Sequence, residues 1–519
     1  MDLVLNLIIQ QIKSGSFTMK GQTLIVIAIM ILASGTYAGG KSRSQTGASS
    51  RALPPLRFTE PADSIIVDLK TYIPEYMELM EIPGCAIALI YNHNIVWTDG
   101  FGSKNSITGS PVDSETLFEV ASNSKIVTAY VSLVLADRGR LSMDMPLNSY
   151  LSEPWLTNSE YRDSITMRHV LSHSSGLGHN GAGKDVLFPP GSGFYYSNLG
   201  FTYLQAVIEN ITGNSLEKVA GEYVFNPLGM SSTSFINRSD LRHRLANGHV
   251  SGSYLARLSG ILFLVSLVVV WLPGIFLHRI FRGNWKPKRK TLRGALLVSV
   301  LTWVLIAFIL FGIVGWIKYA WLITLFGIIF VSSFALLFFA GKACFHLFVF
   351  MHSRVRKILI VVWAAVLVSG LILMTVNLNN IPVPKRSSIR PMGAASLRTT
   401  VHDMATLMLE LSDPQYLHDS IATQLLKPRI ELHPEISWGL GTGILHSSQG
   451  DALWQWGQNV DFLSVTIIYP EHGFGVVVLT NCDWSKPDVA IEIAHRALGG
   501  SMEPILRASH LEFNIQLAD

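Results

Sequence analysis

The segment Phe118–Gly139, FEVASNSKIVTAYVSLVLADRG, decides how the chain is read. It holds Ser122 and Lys125 in an S-x-x-K spacing, followed by an apolar-rich run that Gly139 ends. That pattern predicts a helix starting beside the serine, with Lys125 one turn on and on the same face. Two readings compete. In one, the serine caps a helix and the lysine is solvated. In the other, the hydroxyl sits at the positive helix end beside a buried amine that can take its proton. The chain carries a second S-x-x-K, Ser215 and Lys218, which separates the readings. Asn214-Ser-Leu-Glu217 resembles a capping box, and Glu217-Lys218 reads as solvent-facing. Ser122 lies among Val120, Ala121, Ile126 and Val127, where a lysine is expected to be buried and perturbed.

Working outward, the flanking segments read as an α+β domain. CAIALIYNHNIVWTDGFG predicts two strands around a polar turn at Asn92-His93-Asn94. DFLSVTIIYPEHGFGVVVLTN predicts a second hairpin around Pro470-Glu471-His472-Gly473. NLGFTYLQAVIENITG and SLEKVAGEYVFNPLGM predict helices closed by glycine. Strands near both ends with helices between them suggest an α+β domain whose sheet joins its termini.

Composition divides the chain of 519 residues. Charged residues are 15% and hydrophobic ones 49%, and Asp and Glu are absent between Asp240 and Asp403. Four uncharged runs fall there, near 258–277, 294–317, 319–341 and 358–376. Each is close to the roughly 20 residues that a bilayer requires. Basic clusters at Arg279–Arg293 and Lys342–Lys357 predict cytoplasmic loops, and four spans return the chain to the side it left. The expectation is a four-helix transmembrane insert. With no ionisable group inside a run, it would serve as an anchor or a contact for a membrane partner rather than as a transport path. Lys20, the run Leu24–Ala33 and Thr36-Tyr37-Ala38 predict a signal peptide or N-terminal anchor. The predicted organisation is thus 1–38 targeting segment, 39–57 linker, 58–252 first half, 253–380 insert and 381–519 second half, with the folded domain outside the cell membrane. The net charge of +4 gives no nucleic-acid signal, because the basic residues lie beside the apolar runs. Cys85, Cys344 and Cys482 are too few for a disulfide framework and have no metal-ligand spacing. Whether Cys85 pairs with Cys482 stays open.

Several motifs in order carry a family resemblance. TLFEVASNSKIVTA, MRHVLSHSSGL, PPGSGFYYSNLGFTYLQAVIENITG, PLGMSSTSF and PMGAASLRTTVHDMATLMLEL resemble the serine beta-lactamase and penicillin-binding protein superfamily. The branch is that of AmpC-like beta-lactamases, D-alanyl-D-alanine carboxypeptidases and related esterases. The resemblance runs over Phe58–Val250 and Arg390–Gly500, leaving the expected insert outside it. It implies a beta-lactamase/transpeptidase-like fold, an antiparallel sheet flanked by helices plus an all-helical subdomain, and a serine hydrolase without cofactor or metal. Ser122 would be acylated, and Lys125 and Tyr196 would share the proton transfers, with Tyr196 the base toward the serine and the acid toward the leaving group. Asn198 would bind the substrate amide or hold Lys125. Gln455, Gly457 and Gln458 would lie along the substrate, with the N–H groups of Ser122 and Gln458 as oxyanion donors. Relatives carry Lys-Thr-Gly or His-x-Gly where this chain has Gln455-Trp456-Gly457, so the group that helps bind a substrate carboxylate is missing. Asp461 stands where glycine is common, either as an acid repelling anions or as a solvated strand end. His173 reads as part of a packed helix-to-loop junction. The implied substrates are small peptides, amides or esters. The alternative is a slowly acylated penicillin-binding or sensing ectodomain signalling through the insert.

Overall fold

The structure, a computed structural model, describes residues 55–156, 159–179, 185–250, 381–382, 390–510 and 516–517. The chain divides into two units, Met1–Leu53 and Pro54–Asp519. The first unit, with the targeting segment expected at 1–38, lies outside the described residues.

Among the described residues a nine-stranded antiparallel sheet organises the second unit. Its strands are β1 (Gly84–Tyr91), β2 (Asn94–Asn105), β3 (Ser110–Pro111), β4 (Ile430–His433), β5 (Ile436–Trp438), β6 (Gly443–Leu445), β7 (Ala452–Gln458), β8 (Leu463–Tyr469) and β9 (Phe474–Thr480). Their spatial order is β3-β2-β1-β9-β8-β7-β6-β5-β4. The first and last parts of the chain therefore meet at β1 and β9, with Cys85 opposite Thr480. Both predicted hairpins form. The β1–β2 turn places Asn92 and His93 at φ +50° and +59°, the conformation of a two-residue type I′ turn.

Side-chain alternation along the strands builds two cores. Cys85, Ile87 and Leu89 point to one face with Val476 and Val478. There they meet α1 (Ala62–Leu79) and α6 (Val489–Leu498). Ile65, Leu69, Ile73 and Met77 recur every four residues along α1 and are buried. Burying them contributes about 6–12 kcal/mol by side-chain transfer values, enough to offset Pro74 inside the helix, which costs about 3 kcal/mol. Ala86, Ala88, Ile90, Val477 and Leu479 point to the other face. They meet α2 (Ser124–Asp137), α4 (Asn198–Thr212) and α5 (Val401–Ser412); the short α3 (Met167–Leu171) adds Val170 and Leu171.

The expected four-helix transmembrane insert is corrected. Among the described residues no helix is long and apolar enough to cross a membrane. The runs near 258–277, 294–317, 319–341 and 358–376 lie outside the described residues. Apolar length and flanking basic charge, on which that reading rests, do not by themselves separate lipid from a protein interior. The helix α2 makes the point, since Ser124–Leu135 are buried on every side within the folded core. The ends of the intervening segment meet in a short antiparallel ribbon, His249 opposite Pro382 and Val250 opposite Ile381. Cys85 and Cys482 are free thiols in the same core, and burial pushes the Cys482 thiol up to about 11.

Candidate active site

Ser122 sits in a 3-10 turn, Ala121–Asn123, that runs directly into α2. Ala121, just before it, has φ +48°, a left-handed conformation costing an alanine about 1–2 kcal/mol. Side-chain bonds fix this conformation from several sides. Ser124 Oγ donates to Ala121 O and accepts from Leu397 N–H (2.9 Å). Asn123 Nδ2 donates to Ser464 Oγ (2.8 Å), and Asn123 Oδ1 accepts from Thr466 Oγ1 (2.9 Å). Ser464 and Thr466 lie on the β8 face opposite Val465 and Ile467, so strand alternation aims both at the serine turn.

Lys125 Nζ lies 2.9 Å from Ser122 Oγ and 2.9 Å from the carbonyl oxygen of Ala394. The side chain is fully buried, and Nζ is 5.0 Å from the Tyr196 ring centre and 5.7 Å from that of Phe201. Desolvation of the ammonium lowers its pKa from 10.5 to about 7. The second S-x-x-K is different. Ser215 and Lys218 are exposed, and Ser215 makes no side-chain cap. Glu217, expected to face solvent, instead accepts from Ser234 Oγ (2.7 Å) and Phe235 N–H (2.6 Å).

Tyr196 is buried between His173, Trp438 and Trp456. Its hydroxyl bonds Ser122 and accepts from Gln455 Nε2 (3.1 Å). Burial pushes the phenol above its ordinary value, opposed by those two hydrogen bonds. Next along the chain, Ser197 caps α4 by accepting from Gly200 N–H (3.0 Å), and Asn198 is the first helical residue. The Asn198 amide nitrogen is 3.2 Å from His179 Nε2.

Gln455 lies on β7, buried on the face that meets Ser122. Its Nε2 also donates to Ser122 O (3.3 Å). Where relatives carry a cation, this site thus has a neutral amide whose donor is engaged by the nucleophile turn and by Tyr196. Gly457 is required by space. A Cβ there would stand 2.1 Å from Val120 O and 2.4 Å from Ser464 Oγ. The strand β6 pairs with β7 only as far as Trp454, so among the described residues the edge from Gln455 to Gln458 has no strand beside it on that side. Asn459 N–H donates to Phe462 O (2.9 Å), and antiparallel alternation then directs Gln458 N–H toward that open edge.

Asp461 is neither a solvated strand end nor open to solvent at the site: it is buried against Gly248. His173 is the packed junction expected, with φ +55° and Nδ1 accepting Ser197 N–H (3.0 Å). Burial holds its imidazole well below the ordinary value. Sequence reading did not single out Ala394, Asn123, Ser464, Thr466 or His179. The first four lie inside quoted stretches but have partners far along the chain, and His179 stands seventeen residues before Tyr196.

Ser122, Lys125, Tyr196, Gln455 and the Gln458 edge therefore converge. A hydroxyl beside a buried amine able to be neutral near pH 7 can be deprotonated for attack. A phenol that keeps its proton can deliver one. The sequence model of the Beta-lactamase family matches residues 69–300 and 335–501, and so takes in two of the runs expected as spans, 258–277 and 358–376. Esterase EstB of Burkholderia gladioli is 29% identical over 223 residues, 36% of this chain and 56% of the esterase. Protein flp of Staphylococcus aureus is 25% identical over 187 residues, 32% of this chain and 38% of flp. The chain thus spans only about half or less of these relatives' length. An octameric penicillin-binding protein homologue from Pyrococcus abyssi shares the fold at TM-score 0.53 and 17% identity, covering 83% of this chain and 76% of its own. EstCE1, a hydrolase with promiscuous acyltransferase activity, does so at TM-score 0.53 and 16% identity, covering 84% and 98%.

Proposed function

The chain belongs to the Beta-lactamase family, and from that premise we propose that it hydrolyses neutral ester or amide substrates through an acyl-enzyme on Ser122. The observation that carries the reading is the buried Lys125 amine, 2.9 Å from Ser122 Oγ and titrating at about 7. The neutral amine takes the Ser122 proton as Oγ attacks the substrate carbonyl. The N–H groups of Ser122 and Gln458 receive the developing oxyanion. The carbonyl bond to the alcohol or amine breaks, and that group leaves with a proton delivered by Tyr196, which Lys125 replenishes. Water then adds to the acyl carbon by the same proton route in reverse, releasing the acid and restoring the serine hydroxyl.

This assignment departs from the expectation that Tyr196 is the base. Burial favours the uncharged form of both groups. For a lysine that form is the base, and for a tyrosine it is the acid. Asn198 retains a substrate-binding role in this reading. The neutral Gln455 supports uncharged substrates over those ending in a carboxylate, and a relative described as an esterase supports the ester side. The expected export signal at Lys20–Ala38 supports action outside the cytoplasm. A cysteine placed at exposed Leu79 should react with an impermeant maleimide in intact cells, and reaction only after lysis would contradict that location. For the chemistry, a fluorophosphonate should label the wild type and not Ser122→Ala, and p-nitrophenyl butyrate should be hydrolysed. Equal labelling of Ser122→Ala would refute the proposal.

A further inference from the structure

Apart from the serine site, a half-open cleft of about 230 Å³ lies where the segment 232–245 meets Arg398. Leu117, Leu241 and Leu245 give it an aliphatic lining, and Arg238, Arg242 and Arg398 give it positive charge. Arg398 is buried and Arg242 exposed, so that charge runs from the inside of the cleft to its rim. Among the described residues no Asp or Glu lines it. Glu119 pairs with Arg398 (3.2 Å) and Asp240 with Arg238 (2.7 Å), both from outside the lining. Arginines beside leucines suit a carboxylate that carries a short hydrocarbon tail. The guanidiniums take the charged head, and the leucines cover carbon that water would otherwise hydrate. An inorganic anion would make no use of the leucines, and a neutral chain no use of the charge.

The cleft is joined to the nucleophile turn through backbone and side chain. Phe118 and Glu119 pair antiparallel with Thr399 and Arg398, and Arg398 exchanges two backbone bonds with Ser234 (2.9 and 3.0 Å). Glu119 stands three residues before Ser122, and Val120 N–H donates to Leu397 O (3.0 Å) between them. The Glu119 carboxylate also accepts from Asn459 Nδ2, directly after Gln458 at the end of β7. One carboxylate thus ties a cleft arginine to the approach to Ser122 and to the strand end that carries the oxyanion donor.

We propose that this cleft binds a short aliphatic carboxylate, which competes with Glu119 for Arg398, loosens the nucleophile turn and the end of β7, and so slows acylation. Acids released by the reaction proposed for Ser122 are of this class, so the cleft senses product. That product link rests on the acyl-enzyme reading of Ser122; the binding itself does not.

The full-length chain tests this with three probes at equal ionic strength: sodium butyrate, butyramide, which keeps the tail, and sodium phosphate, which keeps the charge. Butyrate should raise the thermal unfolding midpoint of the wild type more than either of the others. Arg242 is exposed and can be replaced without disturbing the core. Arg242→Gln should weaken the shift, and Arg242→Glu should abolish it. Saturating butyrate should also lower the maximal rate of fluorophosphonate labelling at Ser122 by roughly five- to tenfold, the value of one hydrogen bond lost at the turn. Arg242→Glu should label like the wild type without butyrate and should not respond to it. Butyramide or phosphate matching butyrate, an equal response in Arg242→Glu, or slowing that disappears as the labelling reagent is raised would each overturn the inference. The last result would place butyrate at Ser122 itself. Absent labelling of wild-type Ser122 removes the acyl-enzyme reading and the product link, whereas the midpoint shift still decides whether the cleft binds.

Discussion

Replacing Lys125 by methionine should abolish acylation and make the protein more stable in acid. The magnitude follows from burial. A fall from 10.5 to about 7 corresponds to roughly 5 kcal/mol of preference for the neutral amine. The unfolded chain keeps its proton up to about pH 10, whereas the folded chain releases it near pH 7. Between those values the unfolded state binds more protons, so stability rises with pH. Below about pH 7 the full penalty of a buried ammonium applies, and near pH 9 only about 2 kcal/mol of it remains. Methionine fills the space of the lysine stem but leaves the Ala394 carbonyl without this donor, at a cost of about 1–3 kcal/mol. The variant should therefore gain about 2–4 kcal/mol over wild type near pH 6 and almost nothing near pH 9. Urea unfolding followed by tryptophan fluorescence at the two pH values measures this difference. The same group sets the rate of wild-type acylation, which should fall about tenfold per pH unit below pH 7. A stability difference that does not change with pH, or an acylation rate flat down to about pH 5, would refute the account of Lys125.

Gly457→Ala should cost at least a few kcal/mol and most of the activity, because the new methyl meets the Val120 carbonyl at the base of the nucleophile turn; unfolding and turnover assays read both. Glu119 and Arg398 form a buried ion pair (3.2 Å) behind that turn, and Asn459 also bonds Glu119. Glu119→Ala should destabilise by about 3–5 kcal/mol in urea unfolding, since it takes the carboxylate away from a buried guanidinium, whereas Glu119→Met with Arg398→Met should recover most of the loss. Gln455→Lys restores a cation beside Tyr196 and should raise labelling by a fluorescent penicillin severalfold relative to hydrolysis of p-nitrophenyl butyrate; unchanged relative rates would remove Gln455 from substrate selection.

The parts legible in the sequence are those whose signal is local. The β1–β2 and β8–β9 hairpins announce themselves through alternation and their turn residues. The helix after Ser122 does so through its apolar run, and Asn198–Thr212 through the left-handed Gly213 that ends it. The first helix went unread although Ile65, Leu69, Ile73 and Met77 keep helical spacing, because Pro74 interrupts it. Hydropathy, on which the expected spans rest, is the same whether protein or lipid covers an apolar run, and among the described residues no helix is long and apolar enough to cross a membrane. At the site, Ser122, Lys125 and Tyr196 fall within short motifs. Their electrostatics do not: the pKa of Lys125 depends on its burial, beside Tyr196 and Phe201, and its ammonium bonds Ala394, 269 residues away. The roles of base and acid could be assigned only once that burial was known.

The central claim is an acyl-enzyme on Ser122, tested most directly by acid-quenching the wild type during turnover of p-nitrophenyl butyrate and measuring intact and peptide masses. A butyryl increment on the peptide bearing Ser122, absent from Ser122→Ala, is the predicted result. Ester turnover with no covalent increment, or with the increment on any other residue, would contradict it.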